Sequence, residues 1–179
     1  MKKIYIVILL LTFSNCIIIS DHNSTNKSPN YTTERNIEHL NYFLNRWHID
    51  VANYDFDAYF GKMSNNSIFI GTDASENWTI QQFKEFAKPH FDKKKTWDFM
   101  VLERNLYFNT KGDIAWFDEL LDTWMGVCRG SGVLSKKNNN WKIEHYVLSI
   151  VIPNENVSKV VELKKEKDRL IIQSFKNKN

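Results

Sequence analysis

From residue 33 onward the apolar positions Ile37, Leu40, Leu44, Trp47 and Val51 recur at three- and four-residue steps, a spacing that predicts a helix with one buried face. Thr32 or Thr33 supplies its cap. After the break at Asn53, Tyr54 and Asp55, a second short helix is expected over residues 56–63, capped by Asp55. Residues 67–71 read as a strand. Thr79 opens a further helix to about residue 92 that places Phe83, Phe86, Ala87 and His90 or Phe91 on one side. Four segments of strand character follow, 96–108, 114–125, 127–135 and 141–152, divided by turn chemistry at 109–113, at Gly126 and at 136–140. Helices first and an antiparallel meander after them predict an α+β fold.

The two ends break this pattern. Lys2 and Lys3 precede an uncharged run from residue 4 to 11, too short to span a bilayer core of about 30 Å, so residues 1–15 read as a signal peptide. Phe13-Ser14-Asn15-Cys16 resembles the looser form of the bacterial lipoprotein box, with Phe in the Leu position and Asn where Gly or Ala is usual. That resemblance implies lipidation of Cys16 and a membrane-anchored lipoprotein of the cell envelope. Ile17, Ile18 and Ile19 extend the apolar run, so an uncleaved anchor stays open beside an ordinary secretory signal. Residues 20–30 are polar and bury too little to repay ordering, which makes 16–32 a tether. At the other end, residues 155–167 and 170–175 form a charged helix or tail whose closely alternating Lys and Glu read as a solvated face.

Composition narrows the function. The chain carries 24 Lys and Arg against 21 Asp and Glu, and loss of the signal peptide would remove Lys2 and Lys3. So even a balance offers no basic footprint for nucleic acid. With only Cys16 and Cys128 present, lipidation of Cys16 excludes an intramolecular disulfide, and the core must hold the domain. Aromatic residues reach 14%, enough for a well-packed interior or an aromatic pocket. The length fits one domain, placed at 33–160, with 161–179 as its charged extension.

The order of elements resembles the nuclear transport factor 2-like (NTF2-like) superfamily, and within it the SnoaL-like branch. Five stretches carry the likeness: Asp55-Phe56-Asp57-Ala58-Tyr59; the run from Gly71 to Trp78; Ala115-Trp116-Phe117-Asp118-Glu119; Arg129-Gly130-Ser131-Gly132-Val133-Leu134; and the run from Trp141 to Tyr146 through Ser149 to Glu155. The resemblance implies a curved sheet wrapped around helices, a cone with a pocket at its open end, and frequently a homodimer through the sheet face. Relatives include polyketide cyclases and ketosteroid isomerases beside many members without a known reaction, so fold is implied more firmly than function.

Within such a cone, inward polar side chains are the candidates, because burial raises a carboxylate's pKa toward neutrality. Alternation sets Ala115, Phe117, Glu119 and Leu121 on one face of their strand and Trp116, Asp118 and Leu120 on the other, so Asp118 or Glu119 is a candidate base or one half of a salt bridge to Arg129. Arg129, beside glycines, is a candidate for a ligand carboxylate. His145 is placed with Trp141 and Ile143 on the inner face, as acid, base, ligand contact or core histidine. Glu76 and Trp78, on the loop before the third helix, are candidate ligand contacts, as is Trp116; Glu76 alternatively braces Arg129. Gly130-Ser131-Gly132 lacks the nucleophile-elbow spacing, and five histidines without a HExxH or close pair argue for neither metal nor cofactor. Cys128 reads as a small core residue.

Three readings follow. The first is a ligand-binding domain for a small, partly apolar molecule. The second is a proton-transfer enzyme of isomerase, cyclase or hydratase type. The third is a self- or protein-interaction module of the envelope.

Overall fold

The computed structural model describes residues 31–177; the expected signal peptide, Cys16 and most of the tether lie outside them. Helix α1 (Tyr31–Ala52) begins two residues before the expected start. Its apolar stripe meets the sheet as the spacing demands: Leu40, Leu44, Trp47 and Val51 are all buried. One charged residue shares that burial. Asp50 pairs with Arg46 one turn earlier at 3.1 Å and with Lys62, which pins α1 to the turn leading into the sheet.

Helix α2 (Phe56–Gly61) starts at Asp55, whose side chain accepts from the Ala58 N–H at 3.0 Å. Helix α3 (Ile80–Asp92) starts at Thr79 in a reciprocal capping box, the Gln82 side chain accepting from the Thr79 N–H at 2.9 Å. Before it, strand β1 (Met63–Ile70) turns back through the short strand β2 (Asn77–Thr79), an element too brief for periodicity to reveal.

Strands β3 (Met100–Phe108), β4 (Ile114–Thr123), β5 (Gly126–Lys137) and β6 (Asn140–Ile150) form the expected meander. The reversals use left-handed backbone at Gly112, Gly126, Asn138 and Asn139, residue types that tolerate it. The six strands make one curved, unclosed sheet in the order β2-β1-β6-β5-β4-β3. Pairing is antiparallel except between β1 and β6, which run parallel.

The concave face holds an aromatic core. Trp47 stacks on Tyr59 at 5.1 Å between ring centroids and meets Tyr146 edge-on at 4.9 Å. Cys128 is fully buried there, as its size and polarity suggested. The C-terminal segment is one continuous helix, α4 (Val157–Lys176), entered through a short 3₁₀ turn, and it buries none of its residues. Among the described residues, no helix is long and apolar enough to cross a membrane.

Candidate functional site

Alternation in β4 works as expected: Ala115, Phe117, Glu119 and Leu121 point into the core, while Trp116 and Asp118 point out. Glu119 is 1% exposed, and its carboxylate is fully engaged. Oε1 accepts from Tyr146 Oη and meets His48 Nε2, both at 2.9 Å. Oε2 accepts from Arg104 Nε at 2.8 Å; Arg104 Nη2 sits 2.7 Å from the same oxygen, near enough for charge attraction though off the line of a hydrogen bond. Arg104 is itself steered by α1, its Nη1 donating to Asn45 Oδ1 at 2.8 Å.

Burial alone would raise the Glu119 pKa, but the charge and hydrogen bond of His48, followed by those of Arg104, outweigh it and hold the carboxyl at about 2. The Tyr146 hydroxyl moves the other way, raised by burial and then by the neighbouring Glu119 charge. A buried carboxylate held ionised by three donors is a brace rather than a base.

The backbone makes room for this network at Gly130, which pairs with Glu119 across the sheet. A Cβ there would fall 2.1 Å from Tyr146 Oη and 3.0 Å from Glu119 Cγ. The glycine is required by the side chains above it.

Several sequence expectations are corrected. The partner of Glu119 is Arg104 on β3; Arg129 is exposed on the outer face, opposite Leu120. Nor does Glu76 brace Arg129: its Oε2 accepts from the Asp73 N–H at 3.1 Å and holds its own loop. His145 leaves the face of Trp141 and Ile143 because β6 carries a bulge, with Ile143 opposite Leu134 but His145 opposite Val133. The extra residue, Glu144, reverses the alternation, so Tyr146 and Leu148 point inward instead. Trp116, Asp118 and His145 are thereby brought together on the convex face, lining a shallow depression with Ser131 and Val133.

Glu76 and Trp78 lie elsewhere, at an opening on the concave side. There a cavity of about 150 Å³ is walled by Phe69, Trp78, Phe83, Phe86, Trp97 and Phe99, with Trp124 at the β4–β5 turn standing over it, 83% exposed. Trp78 and Phe86 stack at 4.4 Å, and Phe69 and Phe83 at 3.9 Å, leaving flat apolar surfaces. Glu76 and Thr72 supply the polar edge. A second, more polar cleft of about 400 Å³ lies on the other side of Phe99, lined by Asn45, His48, Asn53 and Asp98.

A family model described as a SnoaL-like domain matches residues 40–153, most of the chain. The chain belongs to the SnoaL-like domain family. Solved structures agree in fold. An NTF2-like protein from Cytophaga hutchinsonii superposes with a TM-score of 0.54 at 13% identity, covering 64% of this chain and 98% of its own. A member of the NTF2-like family from Streptomyces avermitilis gives 0.58 at 9% identity, over 67% and 99%. A domain of unknown function with a cystatin-like fold from Nostoc punctiforme gives 0.58 at 12% identity, over 80% and 96%. No curated protein matches the sequence.

The sequence reading missed His48, Arg104 and Tyr146 as members of this SnoaL-like domain's inner network. His48 carried a signal, since it lies four residues after Leu44 and three before Val51, on the apolar stripe of α1. Arg104 shares parity with Leu106 and Phe108. Tyr146 carried none, because the bulge hides its parity.

Proposed function

We propose that this SnoaL-like domain binds a small, flat, largely apolar molecule in the aromatic pocket, with Trp78 and its neighbours stacking on the ligand and Glu76 hydrogen-bonding a polar edge. The observation that carries the reading is the pocket itself: open space lined mainly by aromatic rings, with Met125 and Leu148 beside them and a carboxylate and a hydroxyl at one side. We further propose that the domain is exported and held at a membrane by lipidated Cys16, with the polar stretch after it as spacer. The basic n-region, short apolar run and lipoprotein-like box support this.

Titration of the chain with a flat aromatic fluorophore, followed by tryptophan quenching, tests the pocket. Saturable quenching that weakens in Trp78→Ala is expected; no quenching, or equal quenching in the variant, rejects the reading. For the anchor, cells are fed a radioactive fatty acid. Wild type should be labelled and Cys16→Ser should not; equal labelling removes the lipoprotein proposal.

A second reading, proton-transfer catalysis, is favoured by one contact. Glu119 is ionised and can only accept, so His48 Nε2 carries the proton in the contact they share, and that contact orients the imidazole. His48 lines the polar cleft, so the proton-transfer group would be His48 and Glu119 its positioning residue. His48→Gln should then abolish turnover while leaving fluorophore binding in the aromatic pocket intact.

A further inference from the structure

Helix α4 spans 20 residues, about 30 Å of helix, and buries none of them. Six of its eight apolar residues share one face, with Leu163 and Leu170 on the other. Val157, Val160 and Val161 lie on one face of its first turns, and Ile171, Ile172 and Phe175 continue that face in its last turns. Val157, Val161, Ile171, Ile172 and Phe175 are 37% to 60% exposed. Between the two patches, on the same face, Lys164 pairs with Asp168 at 3.4 Å.

This arrangement is symmetric under reversal. Turning the helix end for end about Glu166 places Val157 on Phe175, Val160 on Ile172, Val161 on Ile171 and Lys164 on Asp168. A surface whose apolar patches and charges match their own reversed image is the requirement for an isologous two-fold contact. We propose that α4 is a dimerisation helix, packing antiparallel against α4 of a second copy of this chain. The six apolar residues of each copy cover those of the other, and Lys164 of each copy meets Asp168 of the other. Ridges of side chains at three- and four-residue steps let two such helices run nearly antiparallel at about 8–10 Å. The remaining Lys, Arg and Glu face outward, together with Leu163 and Leu170.

The pairing has a charge signature that can be inverted. In Lys164→Glu, glutamate would face Asp168 of the partner; in Asp168→Lys, lysine would face the partner's Lys164. Mixed together, the two variants restore an opposite-charge contact at both places. Sedimentation equilibrium of the full chain should therefore show a dimer for wild type, roughly tenfold or greater weakening for each single variant, and recovery in the equimolar mixture. Both variants lose the contact within their own helix, so recovery on mixing separates pairing between copies from simple fraying, and far-ultraviolet circular dichroism checks that the domain stays folded. A wild-type dimer untouched by either variant would place the interface elsewhere and overturn the proposal. So would single variants that stay weakened when mixed. A monomer at every concentration would also overturn it. If that monomer bound vesicles of anionic phospholipid, the excess of Lys and Arg in α4 would instead mark a lipid-facing helix.

Discussion

Two regions of the concave side meet at Phe99 and follow opposite physical rules. Toward Trp78 and Phe83 the walls are mainly aromatic, Glu76 and Thr72 give the polar edge, and there is space. Toward Glu119 three polar side chains converge on one carboxylate, packed beneath Trp47 and over Gly130. A buried charge in a cone of this kind invites a catalytic reading. Here three donors surround it, and the aromatic space lies apart from it. The contrast teaches that a buried carboxylate is read by what occupies its lone pairs, and a site by what remains unoccupied.

Breaking the charged region should have the largest effect. Glu119→Gln leaves Arg104 buried beside a neutral amide and should cost about 3–5 kcal/mol in urea unfolding. The same group sets an acid limit. Because its folded pKa lies at about 2, below the ordinary carboxylate value, its stabilisation is present at neutral pH and fades as pH falls through that interval. The gap between wild type and Glu119→Gln should thus be constant above about pH 5 and narrow below it; a gap independent of pH would mean that Glu119 is not held ionised.

Gly130→Ala tests the packing that serves this region. The new methyl must displace the Tyr146 hydroxyl, at a cost of about 1–3 kcal/mol, and thermal unfolding should record it. In the open region, Trp78→Ala should weaken binding of a flat aromatic probe roughly tenfold while leaving the Glu119 acid transition in place. The smallest effects belong to the convex face: Arg129→Ala and His145→Ala should each change stability by no more than about 0.5 kcal/mol. A large loss from either would return functional weight to residues that the bulge and the strand pairing carry away from both regions.

How much of this was legible beforehand follows the range of the interactions involved. Asp55 and Thr79 announce their helices because a cap bonds two or three residues along the chain, and the inward parity of Glu119 follows from alternation within one strand. The placement of His145 failed on one inserted residue in β6, which a period-two reading passes over. The charged tail read as solvated, which its exposure agrees with, yet the symmetry of its apolar ends emerges only once it is one unbroken helix.

The amino-acid sequence by itself determined the order of the helices and strands, the α+β class, the family and the aromatic wealth of the interior, since each rests on local spacing or on ordered short motifs. Which arginine neutralises Glu119, which histidine touches it and where the space lies were decided only in the folded chain. Arg104, His48 and Tyr146 come from three different elements, 15, 71 and 27 residues from Glu119. The curvature of the sheet, its bulge and the missing side chain at Gly130 bring them to one carboxylate, and no periodicity along the chain encodes that meeting.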